Sequence, residues 1–160
     1  MAIFFVDAAP AAGSPGEVHT TKQNDLGTVR KASDGNSYIY LQGIGSTVDG
    51  SMVVFQPGVW TTALIATGLK GSIAIATGAT VASTYGWYTF VGQDIGVARS
   101  AIASNVALFA GGVAGSPDDV AVKGDQIMNC MARNAAAGGG DSVILQIDRA
   151  FIGMSNESTG

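Results

Sequence analysis

A chain of 160 residues is long enough for one domain with a real core and too short for two ordinary domains and a linker. Only 12% of it is charged, against about 25% in a typical globular protein, and 8 Lys plus Arg stand against 12 Asp plus Glu for a net charge of −4. The few cations are scattered from Lys22 to Arg149 with no basic stripe, which argues against direct recognition of DNA or RNA, and a surface this poor in charge tends to be shared with neighbours.

The opening "MAIFFVDAAPAAG" has no basic residue ahead of its short apolar run, Ala2 to Val6, and reads as mature protein and not as a secretory leader. Asp7 to Asp25 follows with Pro10, Gly13, Pro15 and Gly16 and no periodicity, the composition of an arm. The chain thus divides into an extended N-terminal arm, residues 1–26, and a single β domain, residues 27–160. His19, the one histidine, lies in the arm and reads as exposed; alone it builds neither a histidine metal site nor a proton relay.

From Gly27 the pattern turns to β. "SDGNS" at Ser33 to Ser37 is a turn signal, and the runs "YIYLQGI" (Tyr38 to Ile44) and "SMVVF" (Ser51 to Phe55), with "VDG" between them, predict a hairpin. Further strands are expected in "GVWTTALIATG", "GSIAIATG", "YGWYTFV", "VALFAG", "IMNCMA" and "VILQID". Short strands punctuated by Gly, Asp and Asn predict an all-β fold, a compact β-barrel or β-sandwich. Val97 to Ala107 is the one stretch with a helical composition. Apolar runs such as Ile73 to Ala76 fall far short of the roughly 20 residues that span a bilayer, so no membrane is expected.

The stretch "STYGWYTFVGQ", Ser83 to Gln93, holds the densest aromatic surface. By alternation Tyr85 and Trp87 fall on one side of a strand, Tyr88 and Phe90 on the other, so both faces are partly apolar. Such a strand is expected to be covered on both sides, by its own core and by another layer or chain. Without cations or carboxylates around them, Trp87, Tyr88 and Phe90 read as core or subunit interface in preference to a stacking platform.

No catalytic constellation emerges. Asp118 and Asp119, and likewise Asp34, Asp49, Asp125 and Asp141, sit in turn contexts; "FAGGVAGS" and "AAAGGGDS" lack the endings of phosphate loops. The single Cys130 lies in the apolar "IMNCMA", excludes an internal disulfide and reads as a buried thiol. No catalytic residue, metal ligand or cofactor is assigned, and the chain reads as a non-enzyme.

"ASTYGWYTFVGQ", then "ASNVALFAGGVAGSPDDV", then "VKGDQIMNCMARNAAAGGGDSVILQIDRAF" together resemble the small virion proteins that decorate the capsids of tailed bacteriophages. The resemblance runs from about Ile73 to Phe151: an Ala-rich approach to an aromatic strand, an Asn-x-x-Leu-aromatic strand, a Gly-Asp turn and a long last strand. It implies a head decoration, or cement, protein on the outer surface of the virion, bound to the major capsid protein as a homo-oligomer, trimer or dimer. The residues expected to anchor it are Ile3, Phe4 and Phe5 at the tip of the arm, with Trp60 as a further candidate that could equally be core. Removing Ala2 to Asp25 is expected to weaken attachment and leave the β body folded. A tail-tube or other phage structural protein, and a carbohydrate or cell-surface binding module, are the rival readings.

Overall fold

The computed structural model describes residues 3–6 and 13–153. The fold is all-β. Eleven strands join in one sheet: β1 (Val18–His19), β2 (Val29–Lys31), β3 (Ser37–Gln42), β4 (Met52–Phe55), β5 (Thr62–Leu64), β6 (Gly71–Ala76), β7 (Tyr85–Ala98), β8 (Ala107–Ala110), β9 (Pro117–Asp118), β10 (Gln126–Ala132) and β11 (Asp141–Ile152). The strand pairings are antiparallel, in the order β2-β3-β7-β6-β11-β10-β8-β9, with β1 beside β7 and the β4–β5 pair beside β6. The sheet does not close into a barrel. A single parallel bridge, Gln42 to Thr61, brings the β5 end back beside β3, so that five strands curl round one apolar cluster without a continuous ladder to seal it.

Two strands organise everything else. β7, 14 residues long, pairs with β3 through its first half and with β11 through Val91 to Ala98. β11, 12 residues long, runs along β7 and then passes to β6 at Phe151 and Ile152 while holding β10 on its other edge. Three cores result. The largest is aliphatic, built from β4, β6, β8, β10 and β11 around Ile73, Ile75, Leu108, Leu145 and Ile147. A second lies between β3, β4, β6 and β7 around Leu41, Phe55 and Tyr88. The third is aromatic: Phe5, Tyr38, Tyr40 and Trp87 with Leu26 and Tyr85 against them.

Several expectations change. The hairpin predicted between Tyr38–Ile44 and Ser51–Phe55 does not form; β3 pairs with β2 and β7, and β4 with β5 and β6. The turn signal "SDGNS" instead closes the β2–β3 hairpin, with Asp34 taking the Asn36 amide in an Asx turn. Val97 to Ala107 forms no helix: Val97 and Ala98 finish β7, and the rest is held as loop by bonds such as Ile102 to Ala136 and Asn105 to Ala132. The arm does not stand apart from the body. Of its described residues, 3–6 bridge to the end of β2 and 13–26 lie on the sheet, with Val18 opposite Gly86 and His19 opposite Tyr85, and the Gly16 amide donating to Thr77 Oγ1.

Candidate interaction surfaces

The anchor residues expected at the arm tip go to different places. Phe5 is buried, its ring 4.4 Å from Trp87 and 6.0 Å edge-on to Tyr38, so it is the lid of the aromatic core of its own chain. The backbone around it pairs with the end of β2: the Val6 amide donates to the Lys31 carbonyl and the Ser33 amide to the Phe4 carbonyl, at 3.0 and 2.8 Å. Alternation then turns Phe4 and Val6 outward, and Ile3, Phe4 and Val6 are all exposed on that edge, as is Val29 of β2. Trp60 is half-buried. It packs on Phe55 at 6.0 Å and fills the space over Gly27, where an added Cβ would come within 2.6 Å of the indole. Its own φ of +61° is held by the Trp60 amide donating to the Gln56 carbonyl and the Gln42 amide donating to the Trp60 carbonyl. Trp60 therefore clamps the junction of arm and body.

The aromatic strand is covered on both faces, as its alternation requires, and the second layer is the chain's own. Tyr88 sits in the β3–β4–β6–β7 core, and its hydroxyl bonds Thr80. Trp87 and Tyr40 sit under Phe5, Leu26 and residues 19–23. His19 is not exposed; its Nδ1 shares a 2.8 Å hydrogen bond with the buried Tyr40 hydroxyl, which also receives the Gln23 amide. The phenol is the polar peg on which the arm hangs. Burial with Trp87 only 1% exposed leaves no aromatic platform on this strand for a sugar or base.

A second apolar surface has no sequence signal other than its alternation. Along β11 every second residue from Val143 to Ile147 points into the aliphatic core, so Ile144 and Gln146 point out. Ile95 of β7 lies opposite Ile144, Met131 of β10 opposite Gln146, and Met128 opposite Phe151, and each of these pairs shares the outer face. Ile95, Ile144, Met128, Met131 and Phe151 are between 38% and 57% exposed. Midway, the β10–β11 register slips: Asn129 alone faces the three residues Asp148 to Ala150. Asn129 and Arg149 both take left-handed φ there, +58° and +48°. The slip opens a hollow of about 350 Å³ lined by Asn129, Cys130, Met131, Gln146 and Asp148. Cys130 lies at its floor, and burial pushes its thiol up to about 12, so the sulfur is neutral and inert at ordinary pH.

The ionisable groups read as structural. Asp125 is buried; burial alone would raise its pKa, but the Lys70 ammonium at 2.6 Å and the Gly68 amide outweigh that and hold it below the usual carboxylate range. This pair ties the β5–β6 turn to the start of β10. Asp94 moves the other way: burial raises it, and the negative charges of Asp49 and Asp34 add to the effect against the Thr89 hydroxyl that bonds it. Among the described residues no group of three or more His, Cys, Asp or Glu side chains is placed to hold a metal ion, and no helix is long and apolar enough to cross a membrane.

No protein-family model, no curated protein and no solved structure matches the chain.

Proposed function

We propose that this chain is a structural protein of a tailed-phage virion that binds the outer surface of the major capsid protein lattice and cements it. The observation that carries the reading is the N-terminal edge: Phe5 is anchored in the body while Ile3, Phe4 and Val6 stand exposed beside it. An apolar strip fixed to a folded body meets a partner with its ordering cost already met, which is what a weak contact repeated over a lattice requires. Each 100 Å² of apolar surface covered contributes up to about 2.5 kcal/mol before remaining costs. The resemblance over Ile73 to Phe151 and the low charge of the whole chain support the same reading.

The arm acts in this reading as a pinned edge and not as a free tether. Deleting Ala2 to Asp25 would strip Phe5, His19 and Gln23 from Tyr40 and Trp87, so the truncation cannot separate attachment from folding. Phe4→Asp separates them, because Phe4 faces out. The test adds wild-type chain and Phe4→Asp to undecorated capsids, sediments the mixture and heats the particles. Stoichiometric co-sedimentation and raised particle stability with the wild type, both lost in Phe4→Asp, support cementing. Binding without added stability points to surface display, and no wild-type binding sinks the capsid reading.

A further inference from the structure

We propose that the outer face of β11, β10 and the second half of β7 is where two copies of this chain pair about a two-fold axis. The first ground is its composition. Ile95, Ile144, Met128, Met131 and Phe151 project from adjoining strands of one sheet face, with the uncharged Gln93 and Gln146 among them and charge at the register slip, Asp148 and Arg149. Apolar patches of this kind on a sheet face mark a binding surface.

The second ground is charge. At the register slip in the middle of the face, Asp148 and Arg149 are consecutive and both exposed, because the slip turns two neighbours outward where a regular strand would turn one. Among the described residues neither forms an ion pair within the chain. A two-fold axis between these residues sets Arg149 of each copy against Asp148 of the other, and the 350 Å³ hollow beside Asp148 gives the incoming side chain room. A surface carrying both charges side by side is complementary to its own copy turned by half a turn.

The third ground is size. Three strands about 4.8 Å apart and 7 to 12 residues long at about 3.3 Å each cover roughly 330 to 570 Å² in projection before side-chain relief. A standard interface takes about 800 Å² from each partner, so this face supplies roughly half to two-thirds of one and sets the pair at the weak, concentration-dependent end of the range. The inference sharpens the expected homo-oligomer without resting on the capsid reading, and its test uses no capsids.

Met128 and Met131 stand exposed on this face, so their oxidation reports its occupancy. The experiment follows the full chain from low to high concentration by sedimentation velocity. In parallel it follows the rate at which dilute hydrogen peroxide oxidises Met128 and Met131, read by mass spectrometry. Pairing predicts a monomer-to-dimer transition with Met128 and Met131 protected about tenfold over the same range. Asp148→Arg and Arg149→Asp, both at exposed positions, should each weaken pairing by about tenfold or more by setting like charges together. An equimolar mixture of the two variants should pair again, since each copy then carries one sign. A chain that stays monomeric overturns the proposal, as does a dimer in which Met128 and Met131 oxidise at the monomer rate, or charge variants that fail to complement.

Discussion

The two halves of β7 differ in what covers them. From Tyr85 to Phe90 both faces are closed, one by the β3–β4–β6–β7 core and the other by Phe5, Leu26 and the arm. From Val91 to Ala98 one face packs on the aliphatic core and the other, with Gln93 and Ile95, meets solvent. Residues 3–6 and 13–26 cover one half, and among the described residues none covers the outer face of the second. An aromatic patch holding Trp87 and two tyrosines is a larger liability in water than a row of Ile and Met, so covering it first removes the more unfavourable exposure. The outer face of β11 and β10 keeps Met128, Met131, Ile144 and Phe151 exposed.

The largest test of this contrast is Trp87→Ala against Ile144→Ala. The first should cost about 3–5 kcal/mol, since it empties the centre of the closed half, and the second no more than about 0.5 kcal/mol in the dilute chain. Denaturant unfolding reads both; equal losses would remove the distinction between the halves. The seam itself is next. At Gly92 φ is +124°, and an added Cβ would come within 1.8 Å of Asn36 Oδ1, the atom that accepts the Gln93 amide. Gly92→Ala should cost about 2–3 kcal/mol through the strained φ and the displaced Asn36.

Within the closed half, Phe5→Ala should lose about 2 kcal/mol and raise the accessibility of Trp87 to acrylamide quenching, whereas Phe4→Ala should leave stability unchanged within about 0.5 kcal/mol. The smallest effect is on pH. Asp94 has a folded pKa raised above 3.8, so its ionisation disfavours the folded state. Stability contributed by its protonated form is complete below 3.8 and is lost as pH rises through the folded value. Asp94→Asn should flatten that part of the stability curve. Asp125 has the opposite sign: its depressed pKa gives stability that is present above 3.8 and lost as pH falls through the folded value, and Asp125→Asn should remove that acid-side loss.

Much of this fold is legible from residue pattern. The β class, the two covered faces of the aromatic strand and the buried thiol follow from alternation and from the company each residue keeps. Pairing is less legible. Tyr38 and Tyr40 were free to pair with the next β run in sequence, but opposite Thr89 and Trp87 they complete an aromatic cluster, and long-range side-chain complementarity overrides proximity along the chain. Strand length was hidden for a similar reason. The strand expected over "YGWYTFV" ends at Val91, yet β7 continues through Gly92 and Asp94 to Ala98 because Gly92 makes room for Asn36 and Asp94 is held by Thr89. The arm has no periodicity since its strand is only two residues long, and its docking depends on a tyrosine hydroxyl and a histidine that no local pattern connects. Of the anchor candidates, Phe4 and Phe5 are adjacent and alike in sequence, and only the β-bridge of Phe5 to Ala32 decides which of them turns inward.

The most direct measurement of this account is hydroxyl-radical footprinting of the full chain, dilute and then concentrated, read residue by residue. The account predicts that in dilute solution Met128, Met131 and Phe4 oxidise readily while Trp87 and Tyr40 are spared, and that concentration protects Met128 and Met131 with Trp87 unchanged. Oxidation of Trp87 as fast as Met128 in the dilute chain, or Met128 and Met131 equally reactive at every concentration, would contradict it.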